Sequence, residues 1–135
     1  MKLNLGCGHL KKEGYINLDC EDTWNPEILW NLESKLPIGT NTIDEVYASH
    51  LLEHVSNIGQ LMFEIHRICK SGSSVVIIVP IGKAWQSWPE HKSPFNEDSY
   101  KYFEALTWNR QPAFRVLSKD IKKDKEMTII LEVLK

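Results

Sequence analysis

Apolar positions along this chain fall into short runs cut by polar, glycine-bearing links, and only one stretch follows a helical period. Residues 2–5 and 15–19 alternate or cluster as strands do, and Ile28–Leu32 is a short third candidate. Pro37, Gly39 and Asn41 mark a loop, after which Ile43–Ser49 reads as a fourth strand. Leu51, Val55, Ile58, Met62, Ile65 and Cys69 recur at three- and four-residue steps. That spacing predicts a helix over 51–70, with Glu53, Asn57, Gln60, Glu64 and Arg67 outside and Ser71-Gly72 as its stop. Ser74–Ile81 is continuously apolar and β-branched, as a strand buried on both faces requires. Phe114–Ile121 and Met127–Leu134 form two closing strands, joined by a charged link short enough for a hairpin.

Alternation of strand and helix argues for an α/β protein of Rossmann-like type. The expected sheet has seven strands, mostly parallel, with the C-terminal hairpin bringing in an antiparallel one. The first crossover strains this frame. Parallel strands need a dozen or more residues between them, yet only nine separate Leu5 from Tyr15, three of them glycines. At most one helical turn fits there, through His9–Glu13. Residues 82–113 interrupt the rhythm and hold or adjoin eight of the thirteen aromatics, from Trp85 to Phe114. This segment is either a substrate-side lid or a cover for one sheet face, with Asn96 expected to cap a short helix inside it.

Composition narrows the class without changing the fold. The chain has 135 residues, 42% hydrophobic and 25% charged, with a net charge of -2. One domain spanning 1–135 is expected, and nothing basic enough to make nucleic-acid phosphate its main partner is present. No run is long and apolar enough to span a bilayer, and residues 1–20 carry no leader pattern, so the cytoplasm is the expected location. Cys7, Cys20 and Cys69 are odd in number and lack metal-ligand spacing, which fits reduced thiols and no bound metal.

The candidate chemistry begins at Gly6-Cys7-Gly8, a turn directly after the first strand, and at Asp19, which ends the second. Glycines let a ligand approach the backbone closely, and a carboxylate on the neighbouring strand can accept from ribose hydroxyls. Together they point to an adenosine-bearing cofactor. A dinucleotide fingerprint would place a third glycine where Lys11 stands and its acidic residue about twenty positions further on, and the chain offers neither.

Four segments in order, Asn4–Gly8, Gly14–Asp19, Asp44–Val55 and Arg67–Ser73 with the strand after it, resemble class I S-adenosylmethionine-dependent methyltransferases across residues 2–81. The resemblance implies methyl transfer from S-adenosylmethionine to a small-molecule or glycan-type acceptor. It implies that Asn4, Gly6, Cys7 and Gly8 lie along the methionine part and Asp19 on the ribose. Asn31 and Leu32 would flank the adenine, and Ser49 and His50 would face the methionine and sulfonium. Asn4 and Asn31 stand where such proteins often carry Asp. His91 resembles a loop histidine of this family and, with His50, is the candidate for acid–base work, while His54 reads as a hydrogen-bonded structural residue. Two rivals remain: a non-catalytic cofactor- or partner-binding module, which the short crossover favours, and a zinc hydrolase built on His50-x-x-Glu53-His54. An under-covered sheet face would also invite a second copy of the chain.

Overall fold

The computed structural model describes all 135 residues. Seven strands form one sheet: β1 (Lys2–Leu5), β2 (Ile16–Asp19), β3 (Ile28–Leu29), β4 (Ile43–Ser49), β5 (Cys69–Pro80), β8 (Phe114–Lys122) and β9 (Glu126–Val133). Their order is β3-β2-β1-β4-β5-β9-β8, parallel from β3 to β5, with β9 inserted antiparallel between β5 and β8. The expected sheet and its closing hairpin are therefore present. β6 (Thr107–Trp108) and β7 (Gln111–Pro112) make a separate small ribbon.

Three helices are α-helical: α1 (Ile58–Ile68), α2 (Lys83–Gln86) and α3 (Tyr100–Ala105). None is long and apolar enough to cross a membrane. α1 is shorter than the periodicity of 51–70 predicts. Asn57 caps it by accepting from the Gln60 N–H at 3.0 Å, and residues 52–54 form only a single 3-10 turn ahead of it. At the other end Cys69 is already extended and pairs with Ile43, so the strand starts where the helix was expected to continue. Asn96 accepts from Asp98 in a turn, but α3 begins after Ser99. The His9–Glu13 turn does not become helical.

One hydrophobic cluster joins α1 (Leu61, Met62, Ile65, Ile68) and Phe103 of α3 to alternate residues of the sheet, among them Leu3, Val46, Ile77 and Ile129. Burial of that face is the main stabilising term. The opposite face lacks such a helix, and Tyr47, Val76, Ile78 and Ile130 remain only partly covered there. At its β1–β2 end the short crossover itself acts as the cover. Asn4 donates to Asn17 at 2.8 Å and to the Leu10 carbonyl at 3.2 Å, and Asn17 accepts from the Lys12 N–H at 2.8 Å. Both amides are buried, and together they clamp residues 6–15 onto the strands. An aspartate at position 4 could not donate either bond.

The segment after β5 largely covers the sheet. Phe95, Phe103 and Phe114 are buried in the core cluster, and Trp85, Tyr100 and Trp108 pack against that cluster. Trp88, at 63% exposed, stands apart.

Candidate functional site

The C-terminal ends of β1 to β5 carry three hollows in strand order. The first, of about 370 Å³ beside β2 and β3, is lined by Cys20, Leu29, Trp30 and Asn31. The second, of about 280 Å³ between β1 and β4, is lined by Asn4, Gly6, Cys7, Tyr47 and Ser49 among others. The third, of about 480 Å³, lies beyond β4 and β5 and takes in His50, Glu53, His54, Trp88, His91 and Glu126.

Asp19 links the first two. Its neighbour Cys20 lines the first hollow, and its Oδ2 accepts from the Gly8 N–H at 2.8 Å, just past Gly6 and Cys7 of the second. Oδ1 accepts from Glu21 N–H at 3.0 Å. A carboxylate offers about four acceptor sites, so each oxygen keeps one for a hydroxyl. Gly6 (φ +63°) and Gly8 (φ +50°) take the left-handed conformation, and a Cβ on Gly8 would meet nothing within 4 Å. The loop thus leaves open space beside Gly8, as an adenosine-bearing cofactor requires, while Leu51 packs against Gly6. Burial, reinforced by the charge of Asp19, pushes the Cys7 thiol up, so it stays neutral.

Of the residues expected on the adenine side, Asn31 reaches the first hollow while Leu32 turns into the core. The Asn31 side chain accepts from Glu33 N–H at 2.9 Å and shapes the turn there. Both Nδ2 hydrogens of Asn4 are engaged within the protein, so its part at the second hollow is to hold the loop.

His50 and His91, 41 positions apart in sequence, line the same third hollow. His50 sits at the tip of β4 with φ +51°. Its Nδ1 is 3.6 Å from Glu53 and its Nε2 3.3 Å from Glu126. Contact with Glu53 first, then the charge of Glu126, raises its pKa against the opposing effect of burial. His91 Nδ1 lies 2.7 Å from the Trp85 carbonyl. A carbonyl only accepts, so Nδ1 carries the proton and Nε2 keeps its lone pair.

Glu126 was not expected in this hollow, and Glu53 and His54 stand here in roles other than those expected. Glu53, read as an outward helix position, is 1% exposed, and its Oε2 has no hydrogen-bond partner. His54 is half exposed, and its ring meets His91 edge-on at 4.9 Å. Glu126 arrives through the pairing of Pro80 with Glu126, a long-range register that no local motif signals. The zinc-hydrolase arrangement does not form. Its two histidines would have to share one helical face, whereas His50 ends a strand and 52–54 make one 3-10 turn.

Residues 3–77, more than half the chain, match the methyltransferase domain family, and the chain belongs to it. It is an S-adenosylmethionine-dependent methyltransferase. The fold is similar to that of an S-adenosylmethionine-dependent methyltransferase from Archaeoglobus fulgidus (TM-score 0.72, 17% identity, covering 97% of this chain and 85% of that one). It is also similar to one from Aquifex aeolicus (TM-score 0.71, 15% identity, 98% and 81%). A Haloferax volcanii methyltransferase seen in complex with its Trm112 activator gives a TM-score of 0.71 at 12% identity (99% and 82%). A search of curated protein sequences found no match.

Proposed function

We propose that the three hollows divide the reaction between them: adenosine against β2 and β3, the methionine part over Gly6–Gly8, and a small-molecule or glycan-type acceptor beyond β4 and β5. The observation that carries this reading is their order along one edge, where open α/β sheets bind ligands. Asp19 takes the ribose hydroxyls with its two spare acceptor sites. Asn31 and the Leu32 backbone border the adenine, Asn4 fixes the loop, and Ser49 and His50 at the β4 tip stand where the second hollow meets the third.

The chemistry the bound cofactor supplies is an electrophilic methyl group on a sulfonium. The protein's part is to hold the acceptor atom about 3 Å from that carbon, in line and away from water. His91 faces the acceptor cavity with a free Nε2, suited to take a proton from a hydroxyl or ammonium. His50, its pKa raised by Glu53 and Glu126, orients the acceptor.

A screen of small hydroxyl, carboxyl and amine acceptors with methyl-labelled S-adenosylmethionine tests this. Label transferred by the natural chain and lost in His91→Ala, with cofactor affinity retained, is the expected result. Transfer undiminished in His91→Ala contradicts the placement of the acceptor.

A further inference from the structure

We propose that Glu53, His54 and His91 form a site for one divalent transition-metal ion in the wall of the acceptor cavity. The inference rests on reading that cavity as the acceptor site. It deepens the reading by naming the class of group the cavity selects.

Three observations converge. One donor atom from each of the three residues lies within 4.8 Å of the others. A four-coordinate ion at about 2.1 Å holds its ligands about 3.4 Å apart, so modest side-chain rotation closes the set. Next, the carboxylate is buried without adequate partners. Oε2 of Glu53 has no hydrogen bond, and Oε1 has only imidazole nitrogens at 3.6 and 3.8 Å, beyond hydrogen-bond length. Buried carboxylate oxygens are normally satisfied, and an orphan needs an explanation. Finally, His91 has the outer partner typical of a metal ligand. Its Nδ1–H donates to the Trp85 carbonyl at 2.7 Å, which fixes the tautomer and leaves Nε2 to bind. Two imidazoles and one carboxylate suit first-row ions of the zinc or iron(II) kind and leave coordination positions open.

All three residues line the acceptor cavity, which Trp88 and Glu126 also line. An ion there takes a hydroxyl or carboxylate oxygen as a further ligand and stabilises it as an anion. The acceptor class is thereby narrowed to molecules presenting a hydroxyl or carboxylate oxygen. Bound metal also occupies the His91 lone pair, so a hydroxyl acceptor's proton passes to water in the open cavity instead of to that nitrogen, while a carboxylate acceptor has none to lose.

The test is titration of the metal-stripped protein with Zn²⁺ by calorimetry and with Co²⁺ by visible absorption, on the natural chain and on single variants. One ion per chain is expected, with affinity falling at least ~10-fold in His54→Ala and His91→Ala. Both side chains are surface-accessible and removable without opening the core. His9→Ala and His66→Ala, which alter histidines outside the cavity, serve as controls expected to bind as before. Absence of binding at millimolar Zn²⁺, binding that survives His91→Ala, or binding lost in His50→Ala but kept in His54→Ala each overturns the proposal. S-adenosylmethionine titrated into the same proteins separates the two layers of the argument. Cofactor binding without metal binding removes this site and leaves the methyltransferase assignment intact.

Discussion

At Gly6 and Gly8 the same residue type meets two different demands. Both have positive φ, but a Cβ on Gly6 would lie 2.8 Å from Leu51 Cδ1 whereas one on Gly8 faces open space. Gly6→Ala therefore combines left-handed strain with a clash and should lower stability by about 2 kcal/mol, against about 1 for Gly8→Ala. Urea denaturation of the two variants checks the ranking, and equal losses contradict it. Gly8→Ala should still weaken cofactor binding, because it fills the space above the loop. Asn4 shows how a departure from family habit can have a structural cause. Only an amide can donate to both Asn17 and Leu10, and the short crossover depends on those bonds.

Two elements show what local pattern can and cannot convey. Asn17 uses its side chain in four hydrogen bonds, to Asn4, to Lys12 twice and to the Tyr15 carbonyl. Asn17→Ala should cost about 2–3 kcal/mol and speed tryptic cleavage after Lys11 and Lys12; unchanged cleavage contradicts the clamp. In α1, Glu64 is buried and accepts from Arg67 Nε and Nη2 at 2.9 and 2.8 Å and from Leu36 N–H at 2.8 Å. Its pKa is lowered, chiefly by Arg67 and against burial. A depressed carboxylate stabilises the fold above its unfolded pKa, and that stability is lost as pH falls through the folded value. Glu64→Gln should lose about 2 kcal/mol at pH 7 and show a flatter decline of stability on acidification below the ordinary carboxylate range. An equally steep acid limb contradicts the ion pair. Helical spacing placed Glu53 and Glu64 outside for different reasons. Glu64 lies on the helix but faces the loop after β3, whereas Glu53 lies ahead of the Asn57 cap, in the 3-10 turn and not on α1. The strands were legible because their apolar residues fall in short runs that stop at a turn or a polar residue: Gly6 after β1, Asp19 on β2, Ser49 on β4. Glu126 and the Glu53–His54–His91 group were not, because they assemble through strand register and loop packing.

Across the whole molecule, one helix-bearing face holds the core while the carboxyl edge of the sheet holds the three hollows. The core strands β4, β5 and β9 are flanked by neighbours on both sides, whereas residues 82–99 contribute only the short α2 and one buried side chain, Phe95. Amide hydrogen exchange should be slowest in those three strands and fastest in 82–99, and uniform protection contradicts this division. Despite the shortened crossover, the glycine loop and Asp19 of the proposed cofactor site meet through the Gly8 N–H. The most direct measurement is calorimetric titration of the cofactor-stripped protein with S-adenosylmethionine and S-adenosylhomocysteine, beside Asp19→Ala. The account predicts micromolar binding to the natural chain and its loss in the variant, with the thermal unfolding of the two proteins alike. Equal affinity in a folded Asp19→Ala, or no binding to the natural chain at millimolar ligand, contradicts it.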